Sequence, residues 1–339
     1  MKKRTLFFGV IAVLAALVLV FTACGPGPGG DDLPPPADPV VYVAGMYDND
    51  PCYWVDDELH ILGGIDDTAG YACAITVASD GSVYTAGTYN GGTKSCYWMD
   101  QVKVKDLPGD SVNPKAIAVV NGSVYVAGTH FDGGTKYTYW IDGVKQDDFE
   151  PTDFWVNHAT VASNGDIYYC GYSMGGSNDV ACYWRNVESD RTDLPESSDS
   201  YANRIAVVNG TVYIAGEYGD SVDWSYCQWV DEEKTDFSGG CSSMDAITAS
   251  GGKAYVAGKD SGGNACYWVN GSPETLELHP TGTDTYTKGI AALDGVAYVA
   301  GYYDDIHGHL EGIACYWVDG ELIDLGEDVD SIANGIYVK

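Results

Sequence analysis

From residue 40 onward, the chain consists of short stretches in which apolar and polar positions alternate, and no stretch carries a helical period. A representative pair is Ile205–Val208 and Val212–Ala215, which are separated by a turn at Asn209-Gly210. Asn-Gly and Asp-Gly pairs tolerate positive φ and therefore favour tight hairpins. The pattern predicts an all-β fold built from short antiparallel strands.

The same two motifs recur seven times. The first, V-Y-V-A-G or a close variant, has its glycine at Gly45, Gly87, Gly128, Gly171, Gly216, Gly258 and Gly301. The second, close to A-C-Y-W-V-D-G, has its tryptophan at Trp54, Trp98, Trp140, Trp184, Trp229, Trp268 and Trp317. Successive tryptophans are 39 to 49 residues apart, which is the length of one four-stranded blade. We therefore predict a seven-bladed β-propeller over residues 40–339, with the repeated Tyr and Trp packing between blades.

The two ends of the repeat region complement each other. The first unit lacks its first strand, because residues 34–39, where that strand should lie, include four prolines. The chain ends instead with residues 331–338, which align without gaps to residues 200–207 at the start of the fifth unit. We predict that this last segment completes the first blade and closes the ring. Deletion of the last nine residues is then expected to destabilise the whole propeller.

An export segment precedes the repeats. A basic head at residues 1–4 is followed by an uncharged run at 6–23, which suits the apolar region of a signal peptide. The run ends at Phe21-Thr22-Ala23-Cys24, which resembles a bacterial lipobox, and the resemblance implies cleavage after residue 23 and acylation of Cys24. Ordinary secretory cleavage and an uncleaved anchor are the alternatives. Residues 24–39 are rich in Gly, Pro and Asp and should form a tether.

Charge narrows the range of partners. The 17 Lys and Arg oppose 49 Asp and Glu, which gives a net charge of −32. Such a surface repels nucleic acid and anionic lipid headgroups, so the expected contact with a bilayer is through the Cys24 acyl anchor alone. We expect a monomer without a cofactor, held at the outer membrane or cell surface or facing the periplasm. Gly25 after the anchored cysteine, by resemblance to lipoproteins of double-membraned bacteria, permits outer-membrane sorting.

The repeats resemble kelch and WD-repeat propellers in architecture only, since the kelch double glycine and the Trp-Asp ending are both absent. A nearer resemblance, covering the chain from Cys24 onward, is to uncharacterised bacterial lipoproteins built from Tyr- and Trp-containing repeats. That resemblance implies an anchored propeller and no particular activity.

Most of the cysteines are expected to be packing residues. Six of the ten share one repeat position, where the third unit has Thr138, and equivalent positions on adjacent blades are too far apart for disulfides. Cys170 and Cys182 form a different kind of pair. If the turn between them is centred on Gly176, they lie opposite each other and are candidates for a cross-strand disulfide.

Function is expected in the loops that differ between units. The loops joining the second strand to the third, and each blade to the next, should share one face of the ring. Ligand-binding candidates on this face are Tyr47, Asp48, Tyr89, Asp132, Tyr172, Tyr218, Trp224, Tyr302 and Asp304. Aromatic rings beside carboxylates suit a glycan or a protein partner.

Three alternatives remain open beside a binding module. His307 and His309 point to one side of an extended loop and could hold a divalent metal. Loop carboxylates could serve an envelope hydrolase or lyase acting on carbohydrate, although no catalytic motif occurs in the sequence. The propeller could also be a structural spacer without a specific ligand.

Overall fold

The computed structural model describes residues 38–64, 69–149, 153–174, 176–186, 190–194, 196–220, 223–280, 282–305, 312–326 and 329–339. These residues form strands and turns only. The segment Pro39–Lys339 is one compact unit. Among the described residues, no helix has the length and apolar character needed to cross a bilayer.

The strands form seven antiparallel four-stranded sheets, each of which is one blade. From the inner to the outer strand, blade 1 consists of β28 (Ser331–Val338), β1 (Val41–Tyr47), β2 (Asp50–Val55) and β3 (Glu58–Ile61). Blade 2 consists of β4 (Tyr71–Val77), β5 (Val83–Tyr89), β6 (Lys94–Met99) and β7 (Val102–Asp106). Blade 3 consists of β8 (Asp110–Val120), β9 (Ser123–Phe131), β10 (Thr135–Ile141) and β11 (Val144–Lys145). Blade 4 consists of β12 (Phe154–Val161), β13 (Ile167–Ser173), β14 (Val180–Arg185) and β15 (Arg191–Asp193). Blade 5 consists of β16 (Asp199–Val208), β17 (Thr211–Gly219), β18 (Trp224–Val230) and β19 (Glu233–Asp236). Blade 6 consists of β20 (Ser243–Ser250), β21 (Lys253–Lys259), β22 (Ala265–Val269) and β23 (Ser272–Thr275). Blade 7 consists of β24 (Gly282–Leu293), β25 (Val296–Asp305), β26 (Ile313–Val318) and β27 (Glu321–Asp324).

The ring closes where the prediction placed the closure. β28 pairs antiparallel with β1, with Tyr42 opposite Tyr337, and their rings meet edge to face at 6.4 Å. The amide of Val40 donates to the carbonyl of Lys339 at 3.0 Å. Each inner strand contacts the inner strands of the two neighbouring blades, and β28 lies between β24 and β4. The seven-bladed propeller and its closure by the last strand are therefore confirmed.

The repeated aromatic residues form the cores between blades, as expected. All seven motif tryptophans are at most 1 % exposed. Trp98 of blade 2 packs with Tyr42 and Tyr53 of blade 1, and Trp317 of blade 7 packs in the same way with Tyr255 and Tyr267 of blade 6. Four indole N–H groups donate to carbonyls of the preceding blade or of its connection, at Gly63, Pro108, Ser238 and Glu277. Each tryptophan thus fills an interface, and these four also satisfy their indole N–H, whereas the buried Nε1 of Trp184 has no hydrogen-bond partner within the described part of the chain.

Each inner strand carries a β-bulge, which explains the repeated glycine of V-Y-V-A-G. In blade 6 the pairing shifts between Met244 and Ala246, opposite Gly258. A Cβ on Gly258 would collide with the carbonyl oxygen of Ser243 on the neighbouring strand. The other six motif glycines face an inner-strand carbonyl oxygen in the same way. Close approach of two backbones, rather than positive φ, therefore selects glycine here.

Asx-Gly turns connect strands at the end of the blade where the inner and third strands finish. Asp142, Asn270 and Asp319 have φ of 48°, 48° and 49°, and the glycine after each also has positive φ. The side chain of Asp142 also accepts a hydrogen bond from the amide of Val124 at 2.8 Å. This contact ties the outer hairpin to the second strand, so the turn both reverses the chain and fixes the register.

Candidate functional site: an aromatic surface on blades 4 and 5

Two sets of loops share one face of the propeller, which we call the loop face. In every blade the second strand ends, and the inner and third strands begin, at this edge of the sheet. The opposite edge carries the short Asx-Gly turns. Side chains near the ends of the second strands and near the starts of the inner strands are thereby gathered on the loop face.

Four aromatic side chains lie together there, and we call them the aromatic patch: Trp155, Tyr172, Tyr201 and Trp224. Trp155 and Tyr172 are directly opposite on the paired strands β12 and β13, so their side chains lie on the same side of blade 4. Tyr172 meets Tyr201 of blade 5 edge to face at 4.5 Å between ring centroids. Tyr201 in turn stacks on Trp224 at 5.3 Å and 24°. The patch therefore runs across two adjacent blades.

The outer members of the patch are open to solvent. Trp155 is 58 % exposed and Trp224 is 39 % exposed, although tryptophan is usually well buried in folded proteins. Tyr172 and Tyr201 are half-buried between them. A contiguous exposed aromatic surface of this kind is typical of a ligand or partner site.

Oxygen acceptors border the aromatic patch. The hydroxyl of Tyr201 donates to Asp179 at 3.2 Å, and the amide of Asp179 donates to Asp199 at 2.9 Å. Burial first, and then the hydrogen bond to Asp179, raise the pKa of Tyr201 to about 12. Glu217, opposite Tyr201 in the sheet, accepts a hydrogen bond from the side-chain amide of Asn203 at 3.3 Å. Rigid ring faces and hydrogen-bond acceptors are thus held side by side.

A second aromatic pair lies on blade 7. Tyr286 and Tyr302 stack at 4.7 Å and 14°, and Lys259 lies 3.7 Å above the ring of Tyr286. Lys288 lies 5.4 Å from the ring of Tyr302. Burial raises the pKa of Tyr286, and the nearby carboxylate of Asp304 adds to the shift. Because lysines cover these rings, the pair offers less free aromatic surface than the aromatic patch.

Three predicted tyrosines lie elsewhere. Tyr89 is only 4 % exposed, and its hydroxyl donates to Asp106 at 2.7 Å. Tyr47 is half-buried against the core between blades 7 and 1. Tyr218 donates to Asp236 at 3.0 Å and lies 3.4 Å below the ammonium of Lys234. These three tyrosines follow their motif glycine by two positions, whereas Tyr172 follows Gly171 by one. Because side chains alternate along a strand, they point to the opposite side of the blade from the position that Tyr172 occupies.

Two of the three predicted loop aspartates, Asp48 and Asp132, are exposed but not gathered at the aromatic patch. Asp48 occupies a turn with φ of 51° in blade 1. Asp132 is in blade 3 and pairs with Lys136 at 3.3 Å, with 72 % of its side chain exposed. Both positions fit turn formation and surface solubility.

The metal and anchor predictions fall on parts of the chain without described structure. His307, His309 and Cys24 lie outside the described residues. Within the described ranges, no group of three or more His, Cys, Asp or Glu side chains is placed to hold a metal ion.

The predicted disulfide pairing is wrong by one residue in register. Cys170 lies opposite Tyr183, and Cys182 lies opposite Gly171, because the turn is centred between Gly176 and Ser177. Adjacent positions on a strand point to opposite faces of the sheet. Cys182 accordingly packs between blades 3 and 4, whereas Cys170 packs between blades 4 and 5, and both are free thiols. The six equivalent cysteines and Thr138 are all at most 4 % exposed, as expected of packing residues.

Trp155 and Tyr201 are the members of the aromatic patch that are not among the predicted ligand-binding candidates. Each precedes the bulge of its inner strand by two positions, and this position is aromatic in four of the seven blades: Tyr71, Trp155, Tyr201 and Tyr286. The other three blades have Asn113, Ser243 and Ile332. A comparison of the repeats position by position along the first strand would have detected this variation.

Comparisons with known proteins support the fold alone. No family model matches the chain, and no curated protein matches it. Among solved structures, it is similar to the β-propeller domain of the Trilobed protease from Pyrococcus furiosus, described as having an open velcro topology (13 % identity, 86 % of this chain and 95 % of that one, TM-score 0.50). It is also similar to the computationally designed Ika8 protein (14 % identity, 88 % and 90 % coverage, TM-score 0.44).

Proposed function

We propose that this protein is an acylated envelope lipoprotein whose propeller binds an uncharged glycan through the aromatic patch. The observation that carries the proposal is the aromatic patch, in which the rings of Tyr172, Tyr201 and Trp224 are in contact and Trp155 lies opposite Tyr172 in the sheet, with a 58 % exposed indole at one end and a 39 % exposed indole at the other. A β-propeller is consistent with an interaction module, and the chemistry of this surface supports the choice of ligand.

The mixed character of the patch favours sugar. A pyranose ring has an apolar C–H face that gains free energy when it is buried on an aromatic ring, and hydroxyls at its edge that need acceptors. Asp179, Asp199 and Glu217 supply carboxylate oxygens beside Tyr201. The rings of Tyr172, Tyr201 and Trp224 are held by one another, so little of their side-chain entropy is lost when a ligand binds.

Charge selects among glycans. The protein carries a net charge of −32, and the acceptors at the patch are carboxylates. Sulfated, phosphorylated or uronic-acid polymers would meet repulsion both at long range and in contact. An uncharged oligosaccharide avoids both penalties.

The anchoring part of the proposal rests on the lipobox-like segment ending at Cys24 and on the Gly- and Pro-rich stretch that follows. Acylation would hold the propeller at the envelope, and a tether would leave the loop face accessible. Cell fractionation tests this part separately. The native chain should sediment with membranes, and Cys24→Ser should release it or leave its precursor unprocessed; a Cys24→Ser chain that fractionates and migrates like the native one would argue against acylation.

The binding test uses the full chain in a non-ionic micelle. A glycan array identifies an uncharged oligosaccharide, and calorimetry measures its dissociation constant for the native protein and for Trp155→Ala and Trp224→Ala. Removal of an aromatic hot spot typically costs 2 kcal/mol or more, so each variant should bind at least about tenfold more weakly.

Phe131→Ala is the matched control. Phe131 is 53 % exposed at the end of β9 on the loop face, outside the aromatic patch, and its replacement should leave affinity unchanged. Equal weakening by all three substitutions, or binding of anionic glycans only, would contradict the proposal. Capture of a protein that competes for the same tryptophans would reassign the ligand class.

A further inference from the structure

The bulges of the inner strands turn one residue per blade out of the sheet. A bulge leaves its extra residue without a partner in the ladder, and here it faces the axis of the ring. Six of these residues line a central cavity of about 850 Å³: Cys73, Lys115, Asn157, Asp245, Lys288 and Asn334. The side chains on the wall of the cavity therefore come largely from one position of the repeat, the bulge residue that has no partner in the sheet.

The cavity is cationic within an acidic protein. Its lining contains Lys115, Arg204 and Lys288, against the single carboxylate of Asp245, among the described residues. This is an excess of positive charge in a chain whose net charge is −32. A narrow cleft of one sign with low-dielectric walls focuses the field on whatever enters it.

The cations are not neutralised by the protein. Across the described ranges, none of Lys115, Arg204 and Lys288 forms a salt bridge with a carboxylate. The guanidinium of Arg204 donates to the carbonyl of Asp245 at 2.7 Å and to that of Asn203 at 2.9 Å. These bonds fix its orientation and leave its charge without a counter-ion from the chain.

A buried polar atom on the same wall also lacks a partner. His158 follows the bulge of β12 and lines the cavity, and its Nδ1 is buried without a hydrogen bond. Burial, together with the positive charges of Arg204 and Lys115, lowers the pKa of His158 to about 3. The imidazole is therefore neutral near pH 7, and because its one N–H is used in a hydrogen bond to the backbone of Ile205, Nδ1 remains as an acceptor.

We propose that the central cavity is a binding site for a small oxyanion, a carboxylate- or phosphate-bearing molecule held between Lys115 and Arg204. The cavity volume lies within the range of small-molecule sites. Both cations form charge-assisted hydrogen bonds with oxyanions, and Nδ1 of His158 can accept a hydrogen bond from a hydroxyl of the ligand. This site is distinct from the aromatic patch, so the two proposals succeed or fail separately.

The repeats themselves supply variants that the fold tolerates. Asn157, Asn203 and Asn334 occupy the position equivalent to Lys115, and Ala74, Ala116 and Ala246 occupy the position equivalent to Arg204. Lys115→Asn and Arg204→Ala therefore introduce residues that other blades already use at the same place. Lys253→Asn, at the exposed first residue of β21, makes the same charge change as Lys115→Asn away from the cavity.

The experiment titrates the full chain in a non-ionic micelle with phosphate and, separately, with citrate, at constant ionic strength and pH 7. Calorimetry and the melting temperature report binding. The native protein and Lys253→Asn should bind at least one of the two probes equally well, and the double variant Lys115→Asn/Arg204→Ala should bind it at least tenfold more weakly. The probe that binds distinguishes a phosphate site from a carboxylate site.

Two results would overturn the proposal. One is the lack of saturable binding of either probe by the native protein up to about 10 mM. Even a site with a binding free energy of only a few kcal/mol would be detected at that concentration. The other is equal affinity of the native protein and the double variant, which would place the anion elsewhere. If the double variant is too unstable to assay, the single variant Lys115→Asn is tested in its place by calorimetry and melting temperature. Weaker binding than that of the native protein would support the proposal, and equal affinity would overturn it.

Discussion

The glycine of V-Y-V-A-G gives a sharp test of how the repeat builds the blade. Gly258 has an ordinary φ, so replacing it with alanine costs nothing through backbone dihedrals. The added Cβ would nevertheless collide with the carbonyl oxygen of Ser243, and would lie 2.9 Å from that carbonyl carbon and 3.2 Å from Met244 Cα. These atoms are all backbone, so no side-chain rotation relieves the contact.

The expected loss follows from the rigidity of the neighbours. Overpacking a core typically costs 1 to 3 kcal/mol, and a backbone obstacle at a bulge belongs at the upper end, so Gly258→Ala should lower the free energy of unfolding by about 3 kcal/mol. For a domain of this size, that corresponds to a melting temperature roughly 6 °C lower. Urea unfolding should show a lower midpoint with an unchanged slope, since the same surface is exposed.

Gly134→Ala is the control for this measurement. Gly134 lies in a loop of blade 3, has no positive φ, and no atom lies within 4 Å of an added Cβ. Alanine there should leave stability unchanged or raise it by up to about 1 kcal/mol through the unfolded chain. If Gly258→Ala matched this control, the steric account of the repeat glycine would be refuted.

Three further predictions concern single positions. Thr138→Cys installs the residue that the other six blades have at this position and removes a hydroxyl donor 3.2 Å from the carbonyl oxygen of Gln146. The free energy of unfolding measured in urea should therefore change by no more than about 1 kcal/mol, and a larger loss would contradict equivalence of the repeats. Hydrogen bonds, first from Asn186, hold the pKa of Asp166 below its ordinary value, so its stabilisation is complete above the unfolded pKa near 4 and lost as pH falls through the folded pKa. Asp166→Asn should therefore lower the melting temperature at pH 6 and have less effect near pH 2, and a pH-independent loss would refute this origin. Burial raises the pKa of Cys266 to about 12, so iodoacetamide at pH 8 should alkylate it only after unfolding, as peptide mass mapping would show; rapid labelling of the native protein would disprove the packing role.

The scaffold was predictable because it is repeated. Seven copies of one strand pattern fix the number of blades, and the likeness of residues 331–338 to residues 200–207 fixes how the ring closes. Burial of Trp317 and its six equivalents followed from their recurrence, since a ligand site has no reason to appear identically in every blade.

Details at the scale of one residue were not predictable. A bulge adds a single residue and shifts the apolar alternation by one position, as between the buried Ala202 and Ile205, and strands this short do not reveal where the shift occurs. The ring of side chains around the axis was therefore not identified from the sequence. The register at Cys170 differs by one residue for a similar reason, because the length of a loop does not reveal the centre of its turn. Tyr89 and Tyr172, predicted together on one face, separate because one more position along a strand reverses the side-chain direction.

Amide hydrogen exchange in residues 331–338 tests the closed ring most directly, because the loop face and the central cavity both depend on it. β28 is an inner strand hydrogen-bonded to β1, so its paired amides should exchange only through global unfolding, at the rate of paired amides in the inner strand β16. Exchange of this segment within seconds, as in a frayed terminus, would contradict the closure and the sites built on it.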